Sequence, residues 1–126
     1  MREGDIRGRR LAIVSHELMN AHLSDVASDI AALAALEELG FGLMALPPAT
    51  AADAVRSDAL HHLVDQLQDY LRHGYAAIVV ADAHTTISIG PLDAALRAYG
   101  IAPLRRIPVE PDFRAALEAV SAAGPA

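Results

Sequence analysis

Two groups of polar residues each follow an apolar stretch of the chain. His16 comes at the end of the stretch 11–15, and Asp82 and His84 follow the stretch 76–81. In an open parallel sheet, ligands and reacting groups gather just beyond the carboxyl ends of the strands. We therefore expect His16 and Asp82 to face one another across a crevice at that edge of the sheet.

The residue types at these two places suit transfer or binding chemistry. A histidine ring at a strand end can act as a nucleophile, a base or a metal ligand. A carboxylate such as Asp82 can keep one ring nitrogen of His16 protonated and leave the other free to react. We predict these two as the catalytic residues. The residues predicted to contact a bound substrate are Glu17, His84, Thr85, Thr86 and Ser88.

A metal site is an alternative use of the same groups. His16, Asp82 and His84 form a nitrogen- and oxygen-rich set suited to zinc, iron or cobalt, with His22 or Glu17 as further ligands. However, the sequence has no helical H-x-x-x-H or H-E-x-x-H pair to fix such a geometry. The main prediction therefore includes no cofactor and no metal, and a divalent transition metal is the alternative.

Each of these residues also has a purely structural interpretation. A histidine after an apolar strand is often half-buried and bonded to the backbone. An aspartate at the end of a strand commonly caps the following turn with its side chain. Three further histidines, His61, His62 and His73, lie on the polar side of a helical pattern and are expected to face solvent.

Composition excludes several classes of function. The chain has 126 residues, of which 53% are hydrophobic, which is enough for one domain spanning 1–126 with a frayed arm at 1–9. The formal net charge of −6 argues against a nucleic-acid partner, because such binding needs a basic face. The absence of cysteine removes disulfides and thiolate chemistry.

Membrane association and secretion are not indicated either. No apolar run approaches the length of about 20 residues that a bilayer-spanning helix needs. The first residues lack the basic start and apolar stretch of a secretion signal. We therefore expect a cytoplasmic protein with no membrane partner.

Apolar stretches alternate with helical patterns in the order β-α-β-α-β-α-β-α. Strands are predicted at 11–15, 41–46, 75–81 and 104–107. A polar loop is predicted after the first strand. The first helix is predicted with Ser24 as its N-cap and with an apolar stripe at helical spacing, Val26, Ile30, Leu33 and Leu36. Further helices are predicted along the stripe that ends at Leu71, from Gly90 onwards with Pro91 at the first helical position, and from near Pro111.

This alternation implies parallel strands joined by right-handed crossovers. The first and third strands are the most continuously apolar and are expected in the centre of the sheet. The predicted fold is a doubly wound, three-layer, flavodoxin-like α/β domain with strand order 2-1-3-4.

Short patches of the sequence resemble two related groups of phosphotransfer domains. Residues 13–16 read I-V-S-H, residues 79–82 read V-V-A-D, and the closing stretch 108–117 is also similar. The chain resembles the mannose-type IIA phosphocarrier domains of the sugar phosphotransferase system and the phosphotransfer subunit of dihydroxyacetone kinase. In that family the I-V-S-H histidine accepts a phosphoryl group, and the aspartate supports it. The resemblance implies a phosphohistidine at His16, an orienting Asp82, and phosphoryl donor and acceptor proteins as partners.

The sequence departs from the family pattern at two points. Glu17 stands where the family has glycine or a small hydroxyl residue, and its carboxylate would repel an incoming phosphoryl group. The family's glycine-rich segment after the aspartate is replaced by residues 83–86, A-H-T-T. Without those glycines, an anion-binding site would need the threonine hydroxyls and His84.

Three functions therefore follow from the sequence. The leading hypothesis is a phosphotransfer domain that carries the phosphoryl group on His16. The alternatives are a metal-binding enzyme or metal-handling protein using His16, Asp82 and His84, and a non-catalytic dimeric interaction module. The three differ on whether the protein is an enzyme. A homodimer is expected in each case, since a small domain with this apolar content gains from covering more surface.

Overall fold

Strands and helices alternate along the chain as the sequence pattern predicts. A computed structural model describes residues 10–23, 26–109 and 112–123. The strands are β1 (Arg10–Val14), β2 (Gly42–Ala45), β3 (Ala76–Ala81) and β4 (Arg105–Pro108). The α-helices are α1 (His16–Met19), α2 (Ala27–Glu38), α3 (Asp53–Arg72), α4 (Thr86–Ala98) and α5 (Phe113–Ala123), and a 3-10 turn covers Ala21–Leu23. The predicted arm at 1–9, the N-cap Ser24 and the helix start at Pro111 lie outside the described residues.

The four strands form one parallel sheet in the order β2-β1-β3-β4, which confirms the predicted topology. β1 pairs with β3 in a register that sets Ile13 beside Val79. Both central strands are apolar because both of their faces are covered. Their carboxyl ends therefore lie side by side at one edge of the sheet, where His16 and Asp82 follow.

Helices cover both faces of the sheet, so that the fold has three layers. Side chains alternate between the two faces along each strand. Ala12, Val14, Ile78 and Val80 pack against α2 and α5. Leu11, Ile13 and Val79 pack against α3 and α4. No helix in the described part of the chain combines the length and apolar character that crossing a membrane requires.

Edge strand β4 carries the polar features that oppose pairing at an edge. Arg105 and Arg106 of β4 are exposed, and Arg106 forms an ion pair with Asp93 of α4. Charges on an edge strand oppose unwanted pairing with another chain. This agrees with the prediction that the fourth strand lies at the edge.

Helix α3 shows the predicted division into a buried and a solvated face. Its buried residues are Leu60, Leu63, Val64 and Leu67. His61 and His62 on the other face are exposed, and so is His73 at the helix end. The interpretation of these histidines as a solvent-facing group is confirmed.

Two local predictions about the first half of the chain are wrong. The segment after β1 was expected to be a loop, but it forms α1, with Ser15 as the N-cap. The buried stripe of α2 was expected to include Val26 and Ile30, which are 47% and 43% exposed. The helix instead buries Asp29, Leu33 and Leu36, which have the i, i+4, i+7 spacing of one helical face.

Helix α4 begins five residues earlier than the sequence predicts. It starts at Thr86, so Pro91 lies inside the helix and not at its first position. A proline there has no N–H to donate to the carbonyl of Ile87, four residues back. Gly90 has no Cβ, which relieves the clash that a proline makes with the residue before it. The Gly90-Pro91 pair resembles a helix start in the sequence, but helix α4 continues through it.

Replacement of Pro91 by alanine tests this helix boundary. If α4 runs through residue 91, Pro91→Ala restores one helical hydrogen bond, and we expect a gain of about 1–3 kcal/mol in unfolding free energy. Urea denaturation measures it. Ser57→Ala at an exposed position of α3 is the control and should change stability by less than about 0.5 kcal/mol. A loss of stability in Pro91→Ala would instead place residue 91 at the helix start.

Candidate functional site at the ends of β1 and β3

A hydrogen bond joins the ends of the two central strands. The hydroxyl of Ser15, 2% exposed, donates to Oδ2 of Asp82 at 2.6 Å. The Ser15 hydroxyl oxygen also accepts a hydrogen bond from the N–H of Leu18 at 3.0 Å, which makes Ser15 the N-cap of α1. A hydroxyl-to-carboxylate bond of this length is a strong, charge-assisted one. Ser15 therefore fixes both the start of α1 and the position of Asp82.

Asp82 also organises the turn that follows β3. Its Oδ1 accepts hydrogen bonds from the N–H groups of His84 and Thr85, each at 3.0 Å. The Thr85 hydroxyl donates to the backbone carbonyl of Asp82 at 2.8 Å. The interpretation of Asp82 as the cap of the following turn is thus confirmed. It leads the chain from β3 into α4.

His16 lies exposed at the first position of α1, at the same edge of the sheet as Asp82. The side-chain nitrogen of Asn20 is 3.4 Å from Nε2 of His16 and donates to the His16 carbonyl at 3.0 Å. Among the described residues, no hydrogen bond joins the His16 ring to Asp82. Ser15 holds the position that the sequence assigned to His16, because the chain enters helix α1 directly after Ser15, where a loop was expected.

The predicted substrate-binding residues divide into accessible and buried ones. His84 and Thr86 are exposed, and Glu17 is half-buried. Thr85 and Ser88 are buried, and the Thr85 hydroxyl is engaged with Asp82. We conclude that Thr85 and Ser88 stabilise the turn and the first part of α4, while the other three can meet a ligand.

A cleft of about 300 Å³ lies beside this turn, between the start of α2 and the ends of β3 and β4. Its polar lining includes Asp29, Asp82 and His84, and its apolar lining includes Ala81 and Pro108. We call it the acidic cleft. It opens at the carboxyl edge of the sheet, where parallel α/β folds bind ligands.

Asp29 is the residue of this site that sequence reasoning missed. It is 8% exposed and lies in the first turn of α2. Burial raises the pKa of Asp29 above its ordinary value, and the nearby carboxylate of Asp82 raises it further. The signal was present, since Asp29 is seven residues before Leu36 on the buried face.

The described residues do not form a metal-binding site. No group of three or more histidine, aspartate or glutamate side chains within them is placed to hold a metal ion. His16, Asp82 and His84, the predicted ligand set, do not form such a group, because Asp82 turns toward Ser15 and the turn backbone. The geometry gives the metal alternative no support.

Comparison of the chain with protein-family models, with curated proteins and with solved structures gives no match. The resemblance at 13–16 and 79–82 is therefore limited to those short patches and the order of elements. Function has to be argued from the geometry of the edge where β1 and β3 end.

The raised pKa of Asp29 makes a prediction about stability and pH. The folded state binds this proton more readily than the unfolded chain, so this contribution to stability falls as pH rises through the raised pKa. We expect Asp29→Asn to unfold at a higher temperature than the wild type at neutral pH. The difference should vanish below the ordinary pKa of aspartate, where both states are protonated.

Thermal denaturation across pH measures this effect. Asp65→Asn, at an exposed position of α3, is the matched control and should leave the pH profile unchanged. Equal pH profiles for Asp29→Asn and the wild type would contradict the assigned environment of Asp29.

Proposed function

We propose that the protein is a phosphotransfer domain that carries a phosphoryl group on His16. The observation that supports this most is the exposed His16 ring directly after central strand β1, beside the end of β3. The I-V-S-H patch at 13–16, which resembles that of phosphocarrier domains, is in the same place. An exposed ring at this edge is open to donor and acceptor proteins alike.

The proposed reaction needs only the imidazole and a phosphorylated donor. A neutral ring nitrogen of His16 attacks the phosphorus atom, and a P–N bond forms while the bond between phosphorus and the donor breaks. The donor keeps the electron pair of the broken bond. An acceptor then attacks the same phosphorus and returns the ring to its neutral form.

Asp82 is a positioning residue in this proposal. It was predicted to orient the His16 ring, but its carboxylate binds Ser15, His84 and Thr85 instead. It holds the start of α1, and therefore the backbone of His16, in a fixed place beside the turn. Asn20 is the side chain that contacts the ring itself.

The charge around His16 determines which partners fit. Besides burial, the carboxylates of Asp82 and Glu17 raise the pKa of Asp29, so three carboxylates lie close together and this edge of the sheet is electronegative. A phosphoryl dianion approaching alone would be repelled. A donor with lysine or arginine around its own phosphoryl group would offset that repulsion and speed association.

The other sequence predictions stay predictions. Neither a homodimer nor an interaction module has a specific contact among the described residues to support it. A cytoplasmic location is also still an expectation from the sequence. The phosphotransfer proposal is preferred because it uses the exposed ring that directly follows central strand β1 at the sheet edge.

The relative labelling rates of the histidines test the proposal within one molecule. The protein is incubated with phosphoramidate, a small phosphoryl donor, and the modified positions are mapped by mass spectrometry. The reaction is run at high salt, which screens the repulsion between the donor's phosphoryl group and the carboxylates at this edge. We expect His16 to be phosphorylated at least about ten-fold faster than the exposed His62 and His73, because the proposal makes His16 the nucleophile. The label should be acid-labile.

Two variants control the experiment. His62→Ala should keep the full rate of labelling, and His16→Ala should lose the fast phase. If His16 is labelled no faster than His62, or if His16→Ala keeps the fast phase, the phosphotransfer proposal is wrong.

A further inference from the structure

Asp29 is largely buried, with 8% of its surface exposed, and no group among the described residues donates a hydrogen bond to its carboxylate. The carboxylate oxygens are not fully enclosed, so a group outside the protein can reach them. The remaining accessible surface of Asp29 lines the acidic cleft. The missing donor can therefore come from a ligand in that cleft.

Asp82 is a second carboxylate in the same cleft, and most of its hydrogen-bond acceptor positions are already occupied. Its two oxygens already accept three hydrogen bonds, from Ser15, His84 and Thr85. A carboxylate offers about four acceptor positions. Asp82 can thus accept one more bond, whereas Asp29 can accept several. A ligand with multiple N–H donors and a positive charge matches this arrangement.

The walls of the cleft are apolar and its volume is small. Val26, Ala81, Pro108 and Val109 lie around the two carboxylates. The volume of about 300 Å³ is at the lower end for small-molecule pockets. An apolar wall beside a carboxylate suits an alkyl chain next to an ammonium group, and does not suit a strongly hydrated metal ion.

We propose that the acidic cleft binds a small organic cation, a primary ammonium group on a short alkyl chain, through Asp29. The ammonium donates to Asp29 and to the remaining acceptor position of Asp82, and the alkyl chain packs against the apolar wall. The site lies on the α2 and β4 side of Asp82, whereas His16 lies on the α1 side. Cation binding therefore does not depend on the phosphotransfer proposal.

The other charged groups near the cleft affect this binding in known directions. Glu17 adds to the negative potential around Asp29, and His84 opposes it when its ring is protonated. Protonation of Asp29 at low pH should therefore weaken the binding of an ammonium ion. Near neutral pH the cleft carries the charge that the ligand needs.

Titration with n-butylammonium chloride tests the proposal. The backbone amide signals of Asp29, Ala83 and His84 are followed by NMR, with sodium chloride at equal ionic strength as the reference. We expect saturable shifts in the wild type and in His16→Ala. Asp29→Asn should bind about ten-fold more weakly or worse, because it removes a charge-assisted hydrogen bond.

Three comparisons make the result decisive. Ala83→Leu keeps Asp29 but fills part of the cleft, so it should also weaken binding; Asp65→Asn should have no effect. Neutral n-butanol should give no saturable shift at the same concentrations. The proposal is overturned if n-butanol binds equally, if Asp29→Asn binds like the wild type, if Mg²⁺ saturates the site and n-butylammonium does not, or if nothing saturates.

His16→Ala separates the two proposals. If His16→Ala loses fast phosphorylation but still binds n-butylammonium, both proposals stand. Loss of binding in Asp29→Asn with unchanged labelling of His16 would support the cation site alone. Failure of the titration with fast labelling of His16 would end the cation proposal and leave the phosphotransfer proposal standing.

Discussion

The hydrogen bond from Ser15 to Asp82 connects two residues that are 67 positions apart in the sequence. It closes the edge of the sheet where the central strands β1 and β3 end. On one side it fixes Ser15 as the N-cap of α1, which places His16 at the helix start. On the other side it holds the carboxylate that organises the turn into α4. The positions of His16 and Asp82, which the two proposals use, follow from this contact.

The electrostatics of this edge follow from how its carboxylates are paired. Asp82 accepts three hydrogen bonds, whereas Asp29 is largely buried and accepts none from the described residues. The pKa of Asp29 is consequently raised, and its free acceptor positions face the acidic cleft. An electronegative edge selects for cationic ligands and for basic partner surfaces. The exposed His16 ring lies at this same edge.

The topology could be predicted from the sequence because the pattern of burial is encoded directly in it. Continuous apolar stretches at 11–15 and 76–81 mark central strands, and the arginines at 105 and 106 mark an edge. These two signals fix the order β2-β1-β3-β4. The stripe of α3 and its exposed histidines followed from helical spacing in the same way.

The details of the site could not be predicted because they depend on single-residue shifts at element boundaries. Ser15 acts as a helix cap, so it and not His16 meets Asp82. The Asp82 turn lets α4 start at Thr86, which overrides the Gly90-Pro91 pair. The burial of Asp29 was not predicted because Val26 and Ile30 form an alternative apolar stripe on α2. In each case tertiary contacts decided between two locally acceptable patterns.

A double-mutant cycle on Ser15→Ala and Asp82→Ala measures the contact that holds this edge together. The free energies of unfolding of the two single variants and the double variant are compared with the wild type. A charge-assisted hydrogen bond predicts a coupling energy of about 1.5–3 kcal/mol. The control pair Ser57→Ala and Asp82→Ala should be additive. Additivity within about 0.5 kcal/mol for Ser15 and Asp82 would contradict the account.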